Sequence, residues 1–179
     1  MSASSSRDPL DDVFGRLVDP ATVQTWEGGR SPVSLFWLAD PARRFAEWAR
    51  LALDEARYTL PLHADIPFLW IIDARGELWL ALEEVVDEVS GQFQYVRRKL
   101  ANVPAHLVKC GHPALLRGGA GRIAGELYID DGDPTAPCWV INKHSGRYSR
   151  GHSDRDERTL DNVKALFSRH GVDVQVDPT

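Results

Sequence analysis

The stretch Phe68-Leu69-Trp70-Ile71-Ile72-Asp73-Ala74-Arg75-Gly76-Glu77-Leu78-Trp79-Leu80-Ala81-Leu82 decides the fold. Residues 68–73 and 77–82 are strand-like and rich in Ile, Leu and Trp. The link between them, Ala74-Arg75-Gly76, is short and ends in glycine. Two such runs with a short Gly-containing link read as a β-hairpin. Downstream, Ile123, Gly125, Leu127 and Ile129 alternate with Arg122, Ala124, Glu126 and Tyr128, a period of two that makes a second strand region. A turn over 130–137 leads to a further strand over 138–142. Residues 145–156 are polar and charged, hence a loop. Leu160, Val163 and Phe167 then form the apolar stripe of a helix that stops near Gly171, and Val172, Val174 and Val176 alternate as a closing strand.

The upstream half is helical in pattern. Asp40-Pro41 is a helix start, with Asp as cap and Pro at the first helical position. Phe45, Trp48, Ala52 and Ala56 follow at spacings of three and four, so 41–57 is read as an amphipathic helix whose aromatic stripe is core. A loop is expected over 61–67. Val86, Val89, Phe93, Val96 and Leu100 repeat at three and four residues, which predicts a helix over 84–101, with a strand at 92–96 as the competing reading. Residues 107–110 are short and apolar, and 117–121 form a glycine-rich loop. A short strand or helix turn is expected at 34–38 and a short helix at 20–26, with a turn at Gly28-Gly29 after it. The Ser-rich, acidic residues 1–12 are expected to be disordered. The sum is a single α+β domain over 13–179, with an N-terminal helical part, a mostly antiparallel sheet and a C-terminal helix.

Composition narrows the function classes. At 179 residues with 43% apolar and 26% charged residues, the chain can bury a core without staples. A net charge of −5 argues against nucleic acid as a partner. Two cysteines, Cys110 and Cys138, are too few for a disulfide framework or a zinc cluster. The N-terminus has no basic region followed by an apolar one, and the longest apolar run is far short of the ~20 residues a membrane helix needs. No membrane association is expected. The expected location is cytoplasmic, or inside a target cell after delivery without a classical signal.

No metal is expected. None of the six histidines lies in HExxH, and His63-Ala64-Asp65 lacks the glutamate of the zinc deaminase pattern. Gly118-Gly119-Ala120-Gly121 lacks the Walker lysine and precedes a strand, so it is not a P-loop, although a glycine-rich turn can expose N–H groups to an anion. Cys110 and His112 lack a third, orienting residue. What stands out is a series of short polar motifs at strand ends: Gly111-His112-Pro113, Gly118-Gly119, Ala124-Gly125-Glu126-Leu127 and Ser145-Gly146-Arg147-Tyr148. His, Ser, Tyr and Arg at such positions supply a ring, hydroxyls and a cation for an anionic ligand. The same residues can equally make a hydrogen-bonded corner that fixes loops.

In order and spacing, these motifs resemble the conserved core of the plant IQ-motif (IQM) calmodulin-binding family and related C-terminal domains of bacterial polymorphic toxins. The likeness spans about residues 67–176, apart from an insertion at 84–105. The 68–82 hairpin, His112 with Gly118-Gly119, Ala124-Gly125-Glu126-Leu127, Ser145-Gly146-Arg147-Tyr148, and Leu166-Phe167 with Val172-Asp173-Val174 follow in the family's order. Pro113-Ala114 stand where the family has two serines, and Arg147 where it has histidine. The IQ segment lies outside the matched core, so calmodulin is not carried over as a partner. The resemblance implies a toxin- or effector-type domain. By analogy with ADP-ribosyltransferases using NAD, His112 would hold a ribose, Tyr148 would stack on nicotinamide and Glu157, with Asp154 and Asp156 behind it, would supply the carboxylate. Arg147 or Arg150 would bind the pyrophosphate, with Gly118, Gly119 and Ser145 completing the ligand site. The alternative is a non-catalytic binding or interaction module, or an inactive toxin-derived domain, with a polar pocket for a small anionic ligand or a surface for a protein target.

Overall fold

A computed structural model describes residues 7–40, 42–56, 67–94, 103–130, 132–133 and 135–177. The 68–82 hairpin forms its centre. Strands β2 (Phe68–Ile72) and β3 (Leu78–Leu82) pair antiparallel, with Trp70 opposite Leu80. β1 (Phe36–Trp37) joins the outer side of β3, and β7 (Ala124–Asp130) pairs antiparallel with β2. β8 (Cys138–Ile141) pairs with β7, and β9 (Gln175–Val176) closes the sheet parallel to β8. The order is β1-β3-β2-β7-β8-β9. The architecture is α+β, with one parallel pair at its edge.

All five residues of β2 are buried, because both faces of the sheet are covered. Trp70 and Ile72 face helices α2 (Ala42–Ala56) and α3 (Glu157–Arg169), through Phe45, Ala49, Val163 and Phe167. Leu69 and Ile71 face the opposite way, onto Ala114, Leu115 and Tyr148. Each large aliphatic or aromatic side chain so buried contributes roughly 1.5–3 kcal/mol, which makes this doubly covered strand the anchor of the fold. Trp139 ties helix to sheet by donating its indole N–H to the Ala49 carbonyl at 2.9 Å. Trp70 donates likewise to Glu126 O at 3.0 Å.

The second face is closed by the 3-10 turn His112–Leu116. Beside it lies a second sheet of β4 (Val85–Asp87), β5 (Gln92–Gln94) and β6 (Leu107–Lys109), in the order β5-β4-β6. This sheet corrects the helix expected over 84–101. Val86 pairs with Phe93 across an antiparallel hairpin, and Val89 at its tip is 91% exposed. The helical spacing was a coincidence of strand and turn positions. Local chemistry favours the hairpin: Asp87 accepts the N–H groups of Val89 and Ser90, and Gly91 takes φ +64°. The competing strand reading is met over 92–94.

Two more expectations change. No helix forms over 20–26; the segment has no regular structure and ends in a turn at 25–29, where Glu27 accepts the Gln24 N–H through its side chain. Within 1–12, Arg7–Asp12 is folded back onto the body rather than disordered. Helix α1 (Asp11–Phe14) begins there, and Asp8 and Asp11 pair with the buried Arg122 at 2.5 and 2.7 Å. Two carboxylates are needed because a lone buried guanidinium is very costly to desolvate. Expectations for residues 1–6, Pro41, 57–66 and 95–101 lie outside the described residues. Among the described residues no helix is long and apolar enough to cross a membrane.

Candidate functional site

The loop 143–155 joins β8 to α3 and contains the motif Ser145-Gly146-Arg147-Tyr148. Its entry is set by Asn142, whose Oδ1 accepts the N–H groups of Glu126 and His144 at 3.0 and 2.9 Å. One helical turn follows. Ser145 O accepts Ser149 N and Arg150 N, each at 3.0 Å, while Ser145 Oγ caps the Tyr148 N–H at 3.3 Å. Gly151, at φ +81°, ends the turn in the left-handed region.

The inner side of this turn is a hydrogen-bonded corner. Tyr148 is 0% exposed and donates its hydroxyl to Gly119 O at 2.6 Å. Burial, with the nearby Glu27 carboxylate, pushes its phenol pKa up. Ser149 Oγ donates to Ala124 O at 2.6 Å and accepts Ala124 N–H at 3.1 Å. Arg147 donates to Glu27 Oε2 at 2.6 Å. Gly111 makes room for that pair, since a methyl group there would overlap the Arg147 guanidinium. Arg155 donates to Arg122 O at 2.7 Å and Arg16 O at 2.8 Å.

The motif elements from other strands meet the same corner. His112 lies 2.9 Å from Gly125 O through Nε2, so that nitrogen carries the proton. Burial pulls its pKa down to about 4, with Arg147 repulsion adding to the effect and the Gly125 bond opposing it. Gly125 brings β7 close to the Asn142 carbonyl, where a side-chain methyl would collide. The glycine-rich loop spends its N–H groups internally: Gly118 N donates to Pro113 O at 2.7 Å, and Gly119 N to Leu116 O at 2.9 Å. Cys110 is a buried free thiol whose pKa burial raises, the reverse of an activated nucleophile.

The outer side of the same turn is different. It borders a cavity of 660 Å³ lined in part by Lys143, His144, Arg150 and His152. Ser145, Ser149 and Ser153 add hydroxyls, Arg155 also borders it, and among the described residues the lining includes no carboxylate. Because Asn142 Oδ1 is held by two backbone donors, its Nδ2 donates to His144 Nδ1 at 3.0 Å. His144 then keeps its own proton on Nε2, as a donor.

The sequence-derived residues therefore divide. His112, Gly118, Gly119, Arg147 and Tyr148 come together in the corner. Ser145 serves both sides, and Arg150 belongs to the cavity. Glu157 is exposed at the start of α3, where Asp156 supplies the cap by accepting Thr159 N–H at 3.0 Å. Among the described residues no hydrogen bond or ion pair links Glu157 to His112 or Tyr148. Within the polar loop expected over 145–156, Arg155 is buried. Sequence reasoning did not single out Lys143, His144 and His152, which line the cavity. Their signal was present: between Lys143 and Ser153 stand five basic or imidazole residues and no acid. Among the described residues no group of three or more His, Cys, Asp or Glu side chains is arranged to hold a metal ion.

A scan against protein-family models gives no match to this chain, and searches of curated proteins and of solved structures give none either.

Proposed function

We propose that this protein is a binding module for a small anionic ligand bearing phosphate, held in the cavity outside the 143–155 loop. The observation that carries this reading is the charge of the lining: Lys143, Arg150 and Arg155 with two imidazoles, serine hydroxyls and, among the described residues, no carboxylate. Cations paired with hydroxyl donors are the chemistry that recognises phosphate oxygens. The volume falls within the ~300–1,000 Å³ range of small-molecule sites. Among the described residues Arg150 has no ion pair, so its charge is available to a ligand.

The transferase reading asks more of the corner. It needs the Tyr148 ring and His112 to meet a nicotinamide riboside, yet both side chains are buried and bonded to the chain's own carbonyls. The motif residues that carry the toxin-domain resemblance thus contribute a scaffold to this reading. NAD remains a useful probe because its pyrophosphate has the charge the cavity suits.

Thermal unfolding tests the proposal, with phosphate, pyrophosphate or NAD added at matched ionic strength. A ligand at 100 times its dissociation constant adds ~2.7 kcal/mol of stability, a rise of several degrees in Tm. The rise is expected with at least one of them and is lost in the Lys143→Ala/Arg150→Ala double variant. Equal Tm values in all conditions overturn it. NAD hydrolysis that survives in the double variant would instead restore the transferase reading.

A further inference from the structure

We infer that Glu27 is a positioning residue for the anion-binding loop, acting through Arg147; its ligand arm rests on the reading just proposed. The segment from Asp8 to Glu27 runs beneath loop 143–155 and holds it at two places. At the far end, Arg16 N donates to Asp154 Oδ2 at 3.0 Å, and Arg155 donates back to Arg16 O at 2.8 Å. At the near end, Ala21 N donates to Arg147 O at 3.0 Å, and the Arg147 guanidinium reaches Thr22 O at 3.4 Å and Glu27 Oε2 at 2.6 Å.

Glu27 is the unusual member of this set. It is fully buried, 120 residues from Arg147 in sequence, and its Oε1 has no hydrogen-bond partner. A buried pair with an unsatisfied oxygen is a poor stabiliser, because well-packed apolar residues of similar volume commonly do as well. What the pair supplies is direction. It draws Arg147 inward, over the space left by Gly111, and fixes the turn whose other side presents Arg150 and Ser145 to the cavity. It also neutralises Arg147, and Arg155, which lines the cavity too, is paired with Asp154, so among the described residues the cavity's unpaired charge comes from Lys143 and Arg150. Arg147, the one motif cation that sequence reasoning offered to a ligand together with Arg150, is therefore the anchor of the site rather than a ligand group.

The test uses full-length Glu27→Gln and, as a variant that refills the space without charge, Glu27→Leu/Arg147→Met. Amide hydrogen exchange is followed at Ser149 and Arg150, whose N–H groups bond Ser145 O, and at β2 in the core. The expected result in both variants is exchange at least tenfold faster in the loop with β2 unchanged. Loop amides that keep wild-type rates, or that change only in step with β2, overturn the inference and make the pair a global structural contact. The same samples are titrated with inorganic phosphate. Affinity at least tenfold weaker than wild type is expected in both, and wild-type affinity in the apolar double variant contradicts it. If the wild-type protein itself takes up no phosphate, the binding proposal is lost, while the exchange rates still judge Glu27.

Discussion

The two sides of the 143–155 turn differ in what surrounds their polar groups. On the inner side, Tyr148 and Arg147 are each matched to a carbonyl or carboxylate of the same chain, and so are Ser149 and Arg155, which also border the cavity. On the outer side, Lys143, Arg150 and His152 line an open cavity whose lining holds no acid among the described residues. A stretch of thirteen residues, 143–155, thus supplies both a structural corner and a candidate binding surface. Residue type alone does not separate them; the separation comes from which side of one helical turn each residue occupies. Polar chemistry at a strand end is available to a ligand only where donors remain beyond those the fold uses, as at Lys143, whose Nζ spends one donor on Arg155 O at 3.4 Å.

Outside the Glu27–Arg147 anchor, perturbing the inner side should damage stability, and perturbing the outer side should damage binding. The largest expected effect is at Gly125. Gly125→Ala places a methyl group against the Asn142 carbonyl and the Trp70 ring, forcing β7 and β8 apart. We expect a loss of more than ~4 kcal/mol, seen as little folded protein by circular dichroism. A two-state denaturation curve close to wild type would show that the corner is not tightly packed.

His112 comes next and gives the corner a pH signature. Its folded pKa of about 4 lies below its ordinary 6.5, so the unfolded chain binds the proton more readily. The contribution of this ring to stability is complete above pH 6.5 and is lost as pH falls from there toward 4. At ~1.4 kcal/mol per unit, the span amounts to about 3 kcal/mol. Urea unfolding of wild type and His112→Gln at pH 7.5 and 4.5 isolates it, because other groups cancel in the difference. A gap between the two proteins that does not change with pH would mean the ring is not buried neutral.

Tyr148→Phe is a smaller perturbation. It removes the 2.6 Å bond to Gly119 O and leaves a carbonyl unmatched. A loss of ~1–2 kcal/mol is expected, with phosphate affinity unchanged at temperatures where the variant is folded. Weakened affinity would move Tyr148 to the ligand side of the comparison.

The fold is legible in the sequence where periodicity and burial fall on a single kind of element. The 68–82 hairpin, the alternation over 123–129 and the stripe Leu160, Val163, Phe167 all match their elements. The 84–101 stretch misled because Val86, Val89 and Phe93 occupy two strands and an exposed tip yet fall at helical intervals. Asp87 and Gly91, the residues that make the turn, were the better evidence. At the candidate site, the sequence singled out the loop that borders the cavity but could not orient it. Arg147 and Arg150 look equivalent as text. Only the distant Glu27, beneath the loop, distinguishes them, and a pairing across 120 residues leaves no local trace. The same holds for Arg122, whose burial depends on Asp8 and Asp11 more than a hundred residues away.

The central claim is that the outer side, and not the motif corner, takes the anion. A phosphate titration followed by backbone amide shifts tests it most directly. The account predicts saturable shifts centred on residues 143–153, absent in Lys143→Ala/Arg150→Ala, a double variant whose stability stays within ~1 kcal/mol of wild type. Shifts centred instead on His112, Gly118 and Gly119, or no saturable shift in the loop, would contradict it.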